Sequence, residues 1–139
     1  MGPKFTPLPI DDGVLSMLAY SGAWTQEALP GAYGGTVRYA STAKDKVALP
    51  NKITFTVTGN LAWVSTLGPD RGMASVSIDG GAPVMIDLYS PTKQAAQVVF
   101  ATNNLRAGVQ HSITVQVLGT KNALSTGTRV DLDAIVAIK

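Results

Sequence analysis

The sequence predicts an all-β fold, a single-domain antiparallel β-sandwich of eight or nine strands. Three observations carry this. Apolar and polar residues alternate with a period of two along most of the chain, and no stretch repeats apolar residues at helical spacing. Fourteen glycines and eight prolines, set among many Thr, Ser and Val, supply turns and strand formers rather than helices. The 139 residues are 45% hydrophobic and 14% charged, enough apolar material for one core and too little charge for a disordered chain.

Taken in order, residues 1–10, "MGPKFTPLPI", contain no apolar signal-peptide segment and read as a linker or the cut edge of a longer protein. The sandwich then occupies 11–139, with strands expected at 14–20, 36–41, 53–58, 61–66, 73–78, 83–89, 95–101, 110–118 and 129–137. In "KITFTVTG" Ile53, Phe55 and Val57 point inward. "LAWVST" places Trp63 inside a strand and therefore in the core. Val76 and Ile78 alternate with Ser75 and Ser77, Asp79-Gly80-Gly81 turns the chain, and Val84, Ile86 and Leu88 return it, which is a β-hairpin. Phe100 is a further alternating core residue. In "HSITVQVLG" Ile113, Val115 and Val117 face one way and Ser112, Thr114 and Gln116 the other. The segment 120–128, "TKNALSTGT", is the longest loop-like stretch.

If each strand crosses the sandwich once, successive loops fall at alternate ends. The turns at Gly59-Asn60 and Asp79-Gly80-Gly81 then share one end with the loop 103–109. The other end collects 44–52, 67–72, 89–94 and 119–128. Lys44, Lys46, Arg71, Lys93, Lys121 and Arg129 meet there, with Asp45, Asp70, Tyr89 and Asn122. Loops on a rigid scaffold are the usual carriers of binding groups. The segment Gly68-Pro69-Asp70-Arg71-Gly72 belongs to this end. A turn needs its glycines and its proline but not its arginine. Arg71 is therefore either a ligand-binding group or a tie between loops.

Several functions are excluded or disfavoured. The absence of cysteine removes disulfides, zinc–thiolate sites and cysteine nucleophiles. No apolar run reaches the length of a membrane span. A net charge of +2 and a pI near 9.0 are too weakly basic to argue for nucleic acid, and the basic residues are scattered rather than striped among aromatics. "GAYGG" (31–35) precedes a strand, so its glycines present no helix N-terminus to a phosphate. His111, the one histidine, falls at the end opposite the charged loops and reads as structural, which leaves a Ser-His-Asp triad without its base.

Two stretches resemble a known group. "DDGVLSMLAYSGAW" (11–24) followed by "YGGTVRYAST" (33–42) is similar to the opening of galactose-binding-like β-sandwich modules. "GTKNALSTGTRVDLDAIVA" (119–137) is similar to their closing strand, and "WVSTLGPDRGMASVSIDGG" (63–81) fits their hairpin. The group includes non-catalytic carbohydrate-binding modules similar to families 6 and 35. The resemblance implies a jelly-roll sandwich with its first and last strands adjacent, appended to a larger secreted enzyme or cell-surface protein. It also implies sugar binding through aromatic residues at loop ends. Sugar rings present an apolar C–H patch that stacks on a flat aromatic face. Tyr89, at the charged loop end, and Trp24, at a strand end, are the candidates for this. Arg71, Asp70, Lys121 and Asn122 are the candidate hydrogen-bonding partners, and the basic surplus points to an acidic sugar.

Related modules often carry a structural calcium that ties the first strand to the last. Asp131 and Asp133 stand two apart, roughly 7 Å between Cα atoms on one strand face. They are the candidate ligands, with Asp11 and Asp12 on the other side. The alternative is that both are solvated or hydrogen-bonded carboxylates with no ion. The expected function is glycan binding without catalysis, and the competing expectation is a structural or adhesion module of an extracellular protein with no sugar ligand. An exposed Tyr89 and Trp24 favour the first and buried rings the second.

Overall fold

The computed structural model describes residues 8–11, 18–32, 35–44, 50–102, 105 and 108–138. Its described residues form twelve strands and no α-helix. They are β1 Leu8–Asp11, β2 Ala19–Ser21, β3 Thr25–Ala28, β4 Thr36–Ala40, β5 Lys52–Thr58, β6 Asn60–Leu67, β7 Met73–Ile78, β8 Val84–Asp87, β9 Gln94–Ala101, β10 Gln110–Val117, β11 Val130–Leu132 and β12 Ala134–Ile138. Every pairing of these strands is antiparallel. One sheet has the order β1-β12-β6-β9, the second β2-β5-β10-β7-β8, and a small third sheet β11-β4-β3.

Period-two alternation explains how the two large sheets meet. Ile53, Phe55 and Val57 of β5, Ala74 and Val76 of β7, and Ile113, Val115 and Val117 of β10 are all buried on one face of the second sheet. Leu61 and Trp63 of β6 and Ile135 of β12 oppose them from the first sheet, and Ala40, Val130 and Leu132 close the core from the third. Trp63 is a core residue, as its strand position implies. Each fully buried Val, Leu, Ile or Phe contributes about 1.5–3 kcal/mol of transfer free energy, so this three-sided core is the main stabilising element.

The hairpin of β7 and β8 forms in the expected register, with Val76 opposite Val84. Its turn has φ 52° at Asp79 and 72° at Gly80, and the Gly81 N–H donates to the Ile78 carbonyl at 2.9 Å. Positive φ at both central residues is the condition for a tight hairpin turn that matches strand twist.

Three elements differ from the sequence reading. Residues 8–10 do not stand apart from the sheet: Leu8 to Asp11 pair with Ala137 to Ala134. The first and last strands are adjacent through this segment, whereas β2, which overlaps only the end of the strand expected at 14–20, pairs with β5. The single closing strand expected at 129–137 breaks at Asp133, so that β11 joins β4 and β12 joins β6. The short strand β3 adds an edge to the third sheet that alternation over four residues is too brief to announce.

Candidate functional site

Among the described residues the loops sort to the two ends as counting predicts. At one end the Gly59 N–H donates to the Val109 carbonyl, and Asp79 bonds both His111 Nδ1 (2.7 Å) and the Ser112 N–H (2.8 Å). His111 is thus a structural residue that clasps the hairpin turn. At the other end the segments 67–72, 88–93 and 119–129 interlock. Gly68 bridges Tyr89, Arg71 bridges Arg129, the Thr126 N–H donates to the Pro69 carbonyl at 2.8 Å, and the Met73 N–H donates to the Thr120 carbonyl at 2.9 Å. The Ser125 hydroxyl donates to the Arg71 carbonyl at 2.7 Å. Gly72 is required by this closeness, because a Cβ there would lie 2.4 Å from the Thr128 carbonyl oxygen.

Arg71 does not reach outward. Its side chain is 2% exposed, and it lies under the loop that carries it. One guanidinium nitrogen bonds Asp70, whose side chain is 52% exposed, and the other bonds the fully buried Asp131 at 3.1 Å. Of the two roles the sequence leaves open, the structure selects the tie between loops and corrects Arg71 as a ligand fork. Arg129 completes the network. It donates to Asp131 Oδ1 at 2.8 Å and to Glu27 Oε1 at 2.8 Å, and its guanidinium carbon sits 3.8 Å from the centre of the Tyr39 ring. Burial opposes its charge, but the bonds to Asp131 and Glu27 outweigh burial and hold it above its ordinary pKa. The bond from Arg129 in turn holds Glu27 below the usual carboxylate range.

Asp131 is therefore engaged by two guanidinium groups, one on each carboxylate oxygen. Asp133 is buried at the break between β11 and β12, and its N–H donates to the Val64 carbonyl at 3.0 Å. Among the described residues no three His, Asp or Glu side chains gather to hold a metal. Asp12 lies outside the described residues, as do Asp45 and Lys46 of the charged loop set.

The remaining candidates divide. Trp24 is half-buried, its indole N–H donates to the Ser21 carbonyl at 2.9 Å, and its ring meets Tyr20 edge-on at 5.4 Å. It packs against the core instead of offering an open platform. Tyr89 follows β8, and Trp24 follows β2, at the opposite edge of the same five-stranded sheet. Four strand spacings, roughly 19 Å, separate them, so one sugar ring cannot touch both. Lys121 Nζ bonds the Ser125 carbonyl at 2.9 Å, and Asn122 Nδ2 bonds Asp87 at 2.9 Å, so both shape the loop. Asp70 and the half-buried Tyr89 remain at the surface on adjoining segments, and Lys93 is exposed and within electrostatic reach of Glu27.

Glu27, Tyr39 and Ser125 escape the sequence reading. Glu27 and Tyr39 lie on strands whose pairing depends on the third sheet, and Ser125 looks like any loop serine. The one local signal is Arg129, two residues before Asp131 on the same strand face.

The fold is shared with known structures. A family 35 carbohydrate binding module from Clostridium thermocellum matches with a TM-score of 0.56 at 13% identity, over 94% of this chain and 98% of that one. The chain has the β-sandwich fold of a carbohydrate-binding module. A family two carbohydrate esterase from Cellvibrio japonicus contains a similar unit, with a TM-score of 0.63 at 12% identity over 97% of this chain and 34% of that one. The exo-β-1,3-galactanase of Phanerochaete chrysosporium does too, with a TM-score of 0.52 at 18% identity over 96% and 29%. The module thus spans about a third or less of these enzymes' length. At the level of sequence, no family and no curated protein matches.

Proposed function

We propose that this module binds a glycan without catalysing its cleavage, through the loop end that carries Asp70, Tyr89 and Lys93. The end-to-end correspondence with a carbohydrate-binding module, over nearly the whole of both chains, is the observation that carries the reading. The interlocked loops support it, because a site that is rigid before the ligand arrives loses little entropy on binding. In this reading Tyr89 stacks on a sugar face, and the surrounding polar groups bond its hydroxyls. The module attaches a larger secreted enzyme or surface protein to its polymer. The lone His111 sits at the far end bound to Asp79, away from Tyr89 and Asp70, which fits a non-catalytic role.

The test is a glycan panel followed by titration calorimetry with Tyr89→Ala. Loss of about 1.5–3 kcal/mol, the scale of the apolar area a tyrosine ring buries against a sugar face, with an unchanged melting temperature is the expected result. Binding unaffected by Tyr89→Ala would remove the loop end as the site. One observation favours a second reading. Tyr89 and Trp24 are both half-buried, Trp24 against the core, which leans toward a structural or adhesion module with no sugar ligand. Absence of binding across the whole panel would select that reading.

A further inference from the structure

We infer that the glycan taken at this end is neutral, and that Asp70, held from beneath by Arg71, is the residue that selects it by accepting hydrogen bonds from its hydroxyls. This rests on the glycan-binding reading above.

The charges at the loop end, read as a list of residue types, suggest a basic surface for an acidic sugar. Their geometry reverses this. Recognition of a carboxylate by arginine needs a planar fork with two donors turned to the ligand. Arg71 is buried, with its two terminal nitrogens on Asp70 and Asp131. The Arg129 side chain is 16% exposed, and its donors meet Asp131 and Glu27 while its face lies on Tyr39. Lys121 is tied to the Ser125 carbonyl. The two guanidinium groups are thus matched by Asp70, Asp131 and Glu27, and the exposed rim holds the carboxylates of Asp70 and Glu27 together with the ammonium groups of Lys44 and Lys93.

Asp70 has the features of a recognition group. Its side chain is 52% exposed, and among the described residues Arg71 is the one group that bonds its carboxylate. An ionised carboxylate has acceptor sites for about four hydrogen bonds, so capacity remains for hydroxyl donors. Its backbone is fixed on both sides, at Pro69 by the Thr126 N–H and at its own carbonyl by the Arg129 N–H. A hydroxyl bonded to a fixed carboxylate forms a charge-assisted hydrogen bond. The carboxylate of a uronate at the same place cannot donate to Asp70 as a hydroxyl does, and among the described residues no guanidinium at this end is turned outward to receive it.

The experiment is titration calorimetry of the intact chain against a panel of neutral oligosaccharides, including mannopentaose and β-1,3-galactotriose, and of oligogalacturonates. The unmodified chain is expected to bind a neutral member at least tenfold more tightly than any uronate, with an affinity that barely changes as salt rises. Asp70→Asn is expected to weaken neutral binding about tenfold and to narrow the gap to the uronates. A purely structural Asp70 would lower both affinities together and leave their ratio unmoved. A preference for uronates, an affinity that falls steeply with salt, or an unmoved ratio would overturn the inference while leaving the glycan reading intact. No binding to any member would overturn both.

Discussion

Replacing Arg71 by methionine tests the architecture of the loop end most directly. The substitution keeps much of the buried aliphatic volume but removes the charge between Asp70 and Asp131. Asp131 is fully buried and then keeps Arg129 as its one guanidinium partner. Breaking a buried pair by removing one member costs about 3–5 kcal/mol, because the other charge stays buried without compensation. The remaining bonds from Arg129 place this case at the lower end, about 3 kcal/mol. For 139 residues, an unfolding entropy of about 2.1 cal/mol/K per residue converts this to a melting temperature lower by about 10 °C. Urea unfolding provides the check, with the midpoint expected to fall while the m-value stays constant, which identifies lost stability rather than altered compactness. Arg71→Lys should recover part of the loss, since an ammonium keeps the charge but cannot reach both carboxylates as a planar fork does. A melting temperature within a degree or so of the unmodified chain, together with a collapse of glycan affinity, would refute the buried tie and return Arg71 to the surface as a ligand group.

The remaining expectations are smaller. Glu27 and Asp79 both sit below their ordinary values of 4.5 and 3.8, Glu27 through its bond from Arg129 and Asp79 through its bond from His111. A carboxylate depressed in the folded state adds stability above its unfolded pKa and loses it as the pH falls through its folded value. Melting temperature should therefore hold above about pH 5 and decline below about pH 4.5, with Glu27→Gln flattening part of that decline; an equal slope in the variant would remove Glu27 from the account. Gly72→Ala should cost about 1–3 kcal/mol through overpacking against Thr128, measured by urea unfolding, whereas Gly80→Ala meets no neighbouring atom and is strained only by its positive φ. Chelation of divalent ions should leave the melting curve unchanged, since the carboxylate of Asp131 is already engaged by Arg71 and Arg129; a fall of several degrees would reveal a stabilising ion.

The sequence by itself determined the all-β class, the hairpin at Asp79-Gly80, the inward residues of β5, β7 and β10, and the sorting of loops to two ends. All of these follow from local periodicity and chain connectivity, which need no knowledge of distant neighbours. Only the tertiary structure decided the fate of Arg71. Its turn, Gly-Pro-Asp-Arg-Gly, is identical whether the guanidinium points to water or to the interior. The direction is set by Asp131, 60 residues further along. That carboxylate is itself buried by a break at Asp133 that hands β11 and β12 to different sheets. The same holds for Glu27 and Tyr39, which meet Arg129 through the third sheet, and for Trp24, whose exposure depends on Tyr20 and the core beside it. Short-range patterns specify which face of a strand is apolar. Which charges survive to the surface depends on long-range pairing, because a charge enters the interior only where another segment supplies its partner.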